Sequence, residues 1–168
     1  MQVDVAVKMK AEFIYDLLLF HTYSKLSGFL VNVLGLAVMI TGGFLVGAGK
    51  IPVYQGGLYF AAGIVFLGFT PMLLRGRSNR LMKLPKYRRE MTYSFTGEGI
   101  VEQLGDNAVH HSWDEVRKAI ATPKDIAFYI GADESMALIV PKESFGDNFM
   151  PVMKLIAENV TRDRIYIR

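Results

Sequence analysis

The residues with the most evident capacity for chemistry are two adjacent histidines, His110 and His111, followed by Ser112 and Asp114. Neighbouring side chains of a strand point to opposite faces, so two adjacent imidazoles cannot readily bind one metal ion. The same geometry argues against a serine triad, whose three groups must line up in one relay. The third histidine, His21, belongs to a distant segment. We therefore expect these side chains to be surface polar groups around a hairpin.

Other catalytic sets are equally hard to assemble. The chain has no cysteine, which excludes disulfides, thiolate nucleophiles and cysteine-ligated metal sites. A lipid-modifying enzyme would need carboxylates or histidines at the membrane interface, and Glu12, Asp16 and His21 are the only loose candidates. We expect no catalytic residue, no cofactor and no metal, and therefore a protein that is not an enzyme.

Trp113 is the only tryptophan of the chain. Aromatic side chains dominate the energetics of protein interfaces, so an exposed Trp113 would be the candidate partner contact. The alternative is that its ring packs under a sheet.

The strongest physical signal is a run of bases without an acid between residues 75 and 89. Each base near an anionic leaflet contributes about 1 kcal/mol of attraction. The run therefore predicts contact with phospholipid headgroups, and the apolar residues between the bases suggest a helix lying in the interface. The seven bases are Arg75, Arg77, Arg80, Lys83, Lys86, Arg88 and Arg89.

The formal net charge of +3 does not predict nucleic-acid binding. Residues 90–168 contain thirteen acids and eight bases, so the basic character comes from one short segment. A phosphate backbone would repel this acidic domain.

Two apolar runs flank Lys50, which is the only charged residue between Leu26 and Leu74. As a helix, the run from Gly28 to Gly49 would be roughly 33 Å long, enough for the ~30 Å hydrocarbon layer. The second run, Ile51 to Leu74, is equally uncharged. Backbone groups in lipid must bond within their own segment, so both runs are predicted to be transmembrane helices. The first run is too long for a signal peptide.

The flanking bases predict the orientation of the helices. Seven bases follow the second run, whereas Lys50 stands alone at the hairpin tip. The positive-inside rule places the basic flank in the cytoplasm. We therefore expect a multi-pass protein of the inner (plasma) membrane with both termini cytoplasmic.

Small residues are frequent in both predicted helices. Gly43 and Gly47, and likewise Gly57 and Ala61, are four positions apart, a spacing that allows helices to approach closely. These pairs could mediate self-association, or they could pack the two helices of one hairpin against each other.

The segments on either side of the membrane predict a mixed domain. Val3, Val5 and Val7 alternate with polar or small residues as in a half-buried strand, and residues 12–23 have helical spacing. An isolated strand is not stable, so we expect the first strand to pair with the later sheet. After residue 90, short alternating runs are separated by turn signals such as Gly105-Asp106-Asn107 and Gly131-Ala132-Asp133-Glu134-Ser135. An apolar stripe predicts a helix from about Asp147 to Val160, and a last strand is predicted over 164–167.

Several of these features together resemble the YcxB-like family of small bacterial membrane proteins. They are the hairpin, the strand Thr92–Thr96 with its glycine turn, the Ser112–Val116 segment and the Ile139–Phe145 stretch before the last helix. The resemblance implies a C-terminal domain similar to pleckstrin-homology (PH) domains, a bent sheet capped by a helix. It implies no catalytic residue.

We therefore expect an α+β membrane protein: a two-helix transmembrane hairpin plus a cytoplasmic PH-like β-roll capped by a C-terminal helix. The predicted parts are a strand and helix over 1–27, the hairpin over 28–74, the basic segment over 75–89 and the PH-like domain over 90–168. The expected function is binding of an unidentified protein partner, or sensing of lipid, at the membrane surface. The alternative is a homo-oligomeric transport or channel component built on the glycine-rich hairpin.

Overall fold

The computed structural model describes residues 2–131 and 136–167, with the side chain of Ser27 left out. The predicted turn residues 132–135 lie outside the described part. The chain divides into two compact units. The sheet unit consists of the residues up to Leu17 and from Ser78 onward, and the hairpin unit is Leu18–Arg77.

Helices and strands follow the order predicted from the sequence. The helices are α1 (Ala11–Tyr23), α2 (Leu26–Gly47), α3 (Val53–Leu81), α4 (Pro85–Arg88), α5 (Lys142–Phe145) and α6 (Phe149–Asn159). The strands are β1 (Val3–Val7), β2 (Met91–Phe95), β3 (Gly99–Leu104), β4 (Asn107–Ser112), β5 (Val116–Ala121), β6 (Asp125–Ile130), β7 (Met136–Pro141) and β8 (Ile165–Tyr166).

The first sheet has the strand order β1-β2-β3-β4, with all neighbours antiparallel. Val5 of β1 lies opposite Tyr93 of β2, so the expected pairing of the N-terminal strand with the later sheet is confirmed. The three valines of β1 are buried and the residues between them are exposed. Gly105 forms the turn between β3 and β4 with a φ of 62°, a backbone conformation that glycine adopts without strain.

The second sheet has the order β7-β6-β5-β8. Strands β5, β6 and β7 are antiparallel, whereas β8 runs parallel to β5. All six residues of β6 are buried, which fits its place inside the sheet. The last strand was predicted over four residues and is formed by two.

Aromatic rings connect the two sheets and the C-terminal helices. The Phe95 ring of β2 lies 5.7 Å from that of Phe128 in β6 and 6.2 Å from that of Phe145 in α5. Val152 and Ile156 of α6 are buried, as the apolar stripe predicts. The sheet unit therefore has an ordinary closed core.

The first turns of helix α1 pack within the sheet unit. Its apolar residues Phe13 and Ile14 are buried, and the Asp16 carboxylate accepts a hydrogen bond from the Lys124 backbone N–H at 3.0 Å. The hydroxyl of Ser78, near the end of α3, donates to the carbonyl of Ala11. The first turns of α1 are therefore part of the sheet unit and do not offer their apolar side to lipid.

The two long helices are long and apolar enough to cross a membrane, with mean hydropathies of 2.2 for Gly28–Gly47 and 1.8 for Val53–Leu81. The tip between them, residues 48–52, contains Lys50 as predicted, and it also contains Gly49, which was predicted to be the last residue of the first span. Helix α3 continues to Leu81, past the predicted end of the span at Leu74. Part of the basic run therefore belongs to the last turns of this helix.

Four glycines form the contact between α2 and α3. A Cβ atom on Gly35 would lie 3.2 Å from the carbonyl oxygen of Gly63, and one on Gly42 would collide with Tyr59. Gly56 and Gly63 are equally crowded, by Val46 and Met39 respectively. Within each helix the two glycines are seven residues apart, which places them on one face.

The small-residue pairs singled out from the sequence lie elsewhere. A Cβ on Gly43, Gly47 or Gly57 would meet no atom of the described residues within 4 Å. Of the two interpretations, packing within one hairpin is wrong for these three glycines, because the helices cross on other faces.

Candidate functional site

The seven bases of the predicted membrane-surface segment are distributed over several elements. Arg75, Arg77 and Arg80 lie near the end of α3, Lys83 in the turn after it, Lys86 and Arg88 on α4, and Arg89 directly after α4. Six of the seven side chains are exposed, and Lys86 is half-buried. The predicted single interface helix is therefore replaced by a helix end, a turn and one short helix.

Lys86 differs because it binds a buried carboxylate. Its Nζ lies 2.8 Å from Oε1 of Glu102, whose side chain is buried in β3. The hydroxyl of Tyr93 donates to the same oxygen at 3.4 Å. Burial, followed by the charge of Glu102, raises the pKa of Tyr93, so this phenol stays protonated. Lys86 thus compensates a charge inside the domain, whereas the other six bases remain available at the surface.

Trp113 lies in the interior of the sheet unit. Its side chain is 6% exposed, and its indole nitrogen donates to the carbonyl of Thr96 at 2.9 Å. The ring therefore packs under a sheet, which was the alternative to partner contact. It has no exposed face that could act as a partner anchor.

The adjacent histidines point to opposite faces of β4, as predicted. His110 is the exposed surface group that was expected, but the same expectation is wrong for His111, which is buried with Nδ1 3.7 Å from a carboxylate oxygen of Glu115. No group of three His, Cys, Asp or Glu side chains among the described residues could hold a metal ion.

The acidic residues of α1 are bound to the turn between β5 and β6. The Glu12 carboxylate forms an ion pair with the Lys124 ammonium, which lowers the pKa of Glu12 and raises that of Lys124. Asp16 accepts from the backbone N–H of the same lysine. These two carboxylates therefore hold α1 against the sheet unit.

Asp125, at the start of β6, was not singled out from the sequence. Its backbone N–H donates to the Thr122 hydroxyl at 2.9 Å, and its carboxyl group is buried with no hydrogen-bond partner among the described residues. Burial, and next the charge of Asp16, raises the pKa of Asp125 to about 8. Its turn sequence Thr122-Pro123-Lys124-Asp125 reads as an ordinary polar loop, so no local signal distinguishes a buried carboxyl from an exposed one.

No protein-family model matches the chain, and a search of curated proteins found no match.

Proposed function

We propose that the protein is a non-enzymatic membrane protein whose cytoplasmic domain binds a partner or senses lipid at the membrane surface. The observation that carries the proposal is the exposure of α2 and α3. Only 11% of the most apolar window of α2 and 6% of that of α3 are buried. Soluble proteins rarely expose apolar patches of more than a few hundred Å², whereas lipid provides the environment that these surfaces require.

The distribution of bases supports the orientation. Arg75, Arg77 and Arg80 at the end of α3 are exposed, and Lys50 is the only base between the two long helices. The positive-inside rule then places the segments before α2 and after α3 in the cytoplasm of a plasma (inner) membrane. The six exposed bases of the basic run would contact anionic headgroups there.

An antiparallel first sheet, the antiparallel strands β5 to β7 of the second sheet and the C-terminal helix α6 support a PH-like fold for the sheet unit. In this interpretation the transmembrane hairpin is an insertion between the first and second strands of the domain. The resemblance to the YcxB-like family supports the same assignment. A role in recognition is favoured over catalysis because Glu12 and Asp16, two of the three loose catalytic candidates, are bonded to Lys124.

Labelling of single cysteines tests the topology, because the natural chain provides a cysteine-free background. Lys50→Cys at the hairpin tip should react with an impermeant maleimide added outside intact cells. Asp106→Cys, in the exposed turn between β3 and β4, should react only after the cells are opened. Equal labelling of both positions in intact cells would contradict the orientation, and recovery of the chain in the soluble fraction would contradict membrane insertion.

Crosslinking in cells, followed by purification of the tagged full chain, tests the recognition role. A stoichiometric protein partner would support partner binding. Recovery of the chain with lipid alone would instead favour lipid sensing.

Self-association through the hairpin is the second candidate, as the basis of a transport or channel component. It is favoured by Gly43, Gly47 and Gly57, which meet no described residue of their own chain. Disulfide formation between copies carrying Gly57→Cys would support it, and Gly68→Cys, another uncrowded glycine of α3, is the comparison. Equal disulfide formation at both positions would indicate random collision.

A further inference from the structure

A pocket of about 400 Å³ lies within the hairpin unit, where the end of α1 and the start of α2 meet α3. Its wall combines basic, hydroxyl and apolar groups. They are contributed by His21, Thr22, Lys25, Val31, Thr70 and Arg77, with Gly28 between Lys25 and Val31. Gly28 is required for this arrangement, because a Cβ there would collide with the carbonyl of Thr22.

The pocket has a strong positive charge with no acid to balance it. The pocket contains two cationic side chains, Lys25 and Arg77, and the imidazole ring of His21. No Asp or Glu occurs between Asp16 and Glu90, so the hairpin unit contains no carboxylate at all. Neither Lys25 nor Arg77 forms an ion pair with any residue that the structure describes.

These groups match the chemistry of a phosphate. Arginine and lysine bind phosphate oxygens through charge-assisted hydrogen bonds, and the hydroxyls of Thr22 and Thr70 can donate further bonds. Lys25 directly precedes α2, whose 22-residue length gives its N-terminus a partial positive charge.

The wall of the pocket also changes from charged to uncharged residues along the helices. Arg77 and Thr70 are seven residues apart on α3, or about 10 Å along one face. Lys25 likewise lies just before α2, whereas Val31 lies inside it. Lys25 and Arg77 therefore lie near helix ends, whereas Val31 and Thr70 lie further toward the apolar middle of α2 and α3. A ligand filling the pocket should have an anionic head and an apolar continuation.

We infer that this pocket binds the phosphate of one anionic glycerophospholipid, with the acyl chains directed along the apolar helix surfaces. The inference rests on the proposed membrane insertion. It differs from the attraction of the basic run to headgroups because it assigns one lipid to a defined set of residues.

Native mass spectrometry of the full chain, released from nanodiscs of phosphatidylcholine containing phosphatidylglycerol, tests the inference. The wild type should retain one phosphatidylglycerol. The double variant Lys25→Gln/Arg77→Gln should retain it at least fivefold more weakly. The matched control is Lys8→Gln/Arg162→Gln, which removes the same number and types of charge from exposed positions outside the pocket and outside the basic run. It should stay within twofold of the wild type.

Any of the following outcomes would overturn the inference. Equal weakening by both double variants would show general surface attraction, and equal retention of phosphatidylcholine would show no recognition of charge. Displacement of the lipid by millimolar inorganic phosphate, with the same dependence on Lys25 and Arg77, would assign the pocket to a soluble anion. A wild-type chain that enters nanodiscs without retaining the lipid contradicts the inference alone, whereas a chain that cannot enter them contradicts the proposed function as well.

Discussion

Phe128 of the sheet unit and Phe44 of the hairpin unit are the same side chain in opposite surroundings. Phe128 is 0% exposed and lies against the Phe95 ring, whereas Phe44 is 68% exposed on α2. The contrast extends to whole elements, since β6 is entirely buried and the apolar residues of α3 are mostly exposed. Burial of apolar surface stabilises the first unit from within, whereas the proposed function places the apolar surface of the second unit in lipid.

The largest expected loss of stability follows from truncating the side chain of Phe128. Truncation of a buried Phe to Ala removes packing and leaves a cavity, which costs about 3–5 kcal/mol. We expect Phe128→Ala to lower the free energy of unfolding of the sheet unit by this amount. Trp113, the only tryptophan and part of that unit, allows urea unfolding to be followed by fluorescence in the full chain.

Phe44→Ala is the matched control in the hairpin unit, and the Trp113 transition should not move. An equal shift from both substitutions would mean that the two units unfold as one and would remove the contrast between them.

The second prediction concerns exposed apolar residues of the two units. Ile64 in the apolar run of α3 is 55% exposed, and Val109 on β4 is 50% exposed. If the hairpin is in lipid, Ile64→Arg costs about 2.5–3.5 kcal/mol of insertion free energy. In water, Val109→Arg should change stability by only about 0.5 kcal/mol or less.

The fraction of chain that resists carbonate extraction measures this difference. We expect Ile64→Arg to lower the fraction clearly and Val109→Arg to leave it unchanged. Full integration of both variants would show that α3 does not cross the hydrocarbon layer.

The elements that were predictable from the sequence are those with a strong repeating pattern. Alternating valines identified β1, and the absence of charge identified α2 and α3. The pairing of β1 with β2 followed from the physical requirement that a strand has a partner. The end of α3 was misplaced because arginines ended the apolar run, although Arg75 and Arg80 continue a helix readily.

The faces through which helices contact each other were much less predictable from the sequence. The sequence emphasised the four-residue spacing of Gly43 and Gly47, whereas the helices meet at Gly35 and Gly42, seven residues apart. Which face is used depends on how the helices cross, and a single helix does not contain that information. The pocket formed by Lys25 and Arg77 was missed for the same reason, since these residues lie 52 positions apart in the chain.

The third prediction compares a crowded glycine and an uncrowded glycine of α3. Gly63→Leu would force a side chain into Met39, and overpacking of this kind costs about 1–3 kcal/mol. Gly57→Leu, on the same helix, meets no described atom within 4 Å and should be neutral. The stability of both variants is measured by the loss of helicity on titration with SDS. A neutral Gly63→Leu would contradict the observed crossing, and a destabilising Gly57→Leu would indicate a contact with a second copy.

The last prediction concerns the pH dependence of stability, which depends on Asp125. This residue is a buried carboxyl within the largely apolar core of the sheet unit. Burial raises its pKa to about 8, whereas an unfolded Asp titrates near 4. Between these values the folded chain keeps a proton that the unfolded chain releases, so stability falls as the pH rises from about 4 to about 8 and is level above that. One proton sets a limiting slope of about 1.4 kcal/mol per pH unit.

Asp125→Asn removes this titration, so its stability advantage over the wild type should grow from pH 5 to pH 8 when unfolding is followed through Trp113. The nearby charges that act on Asp125 are those of Asp16, Lys124, Lys142 and Glu12. Asp163→Asn is the control, because hydrogen bonding lowers the pKa of that exposed carboxyl and its titration falls below this range. Parallel profiles of the wild type and Asp125→Asn would show that Asp125 is ionised in the folded chain. The core of the sheet unit would then contain a charge, and the contrast with the uncharged spans of the hairpin would concern charge as well as exposure.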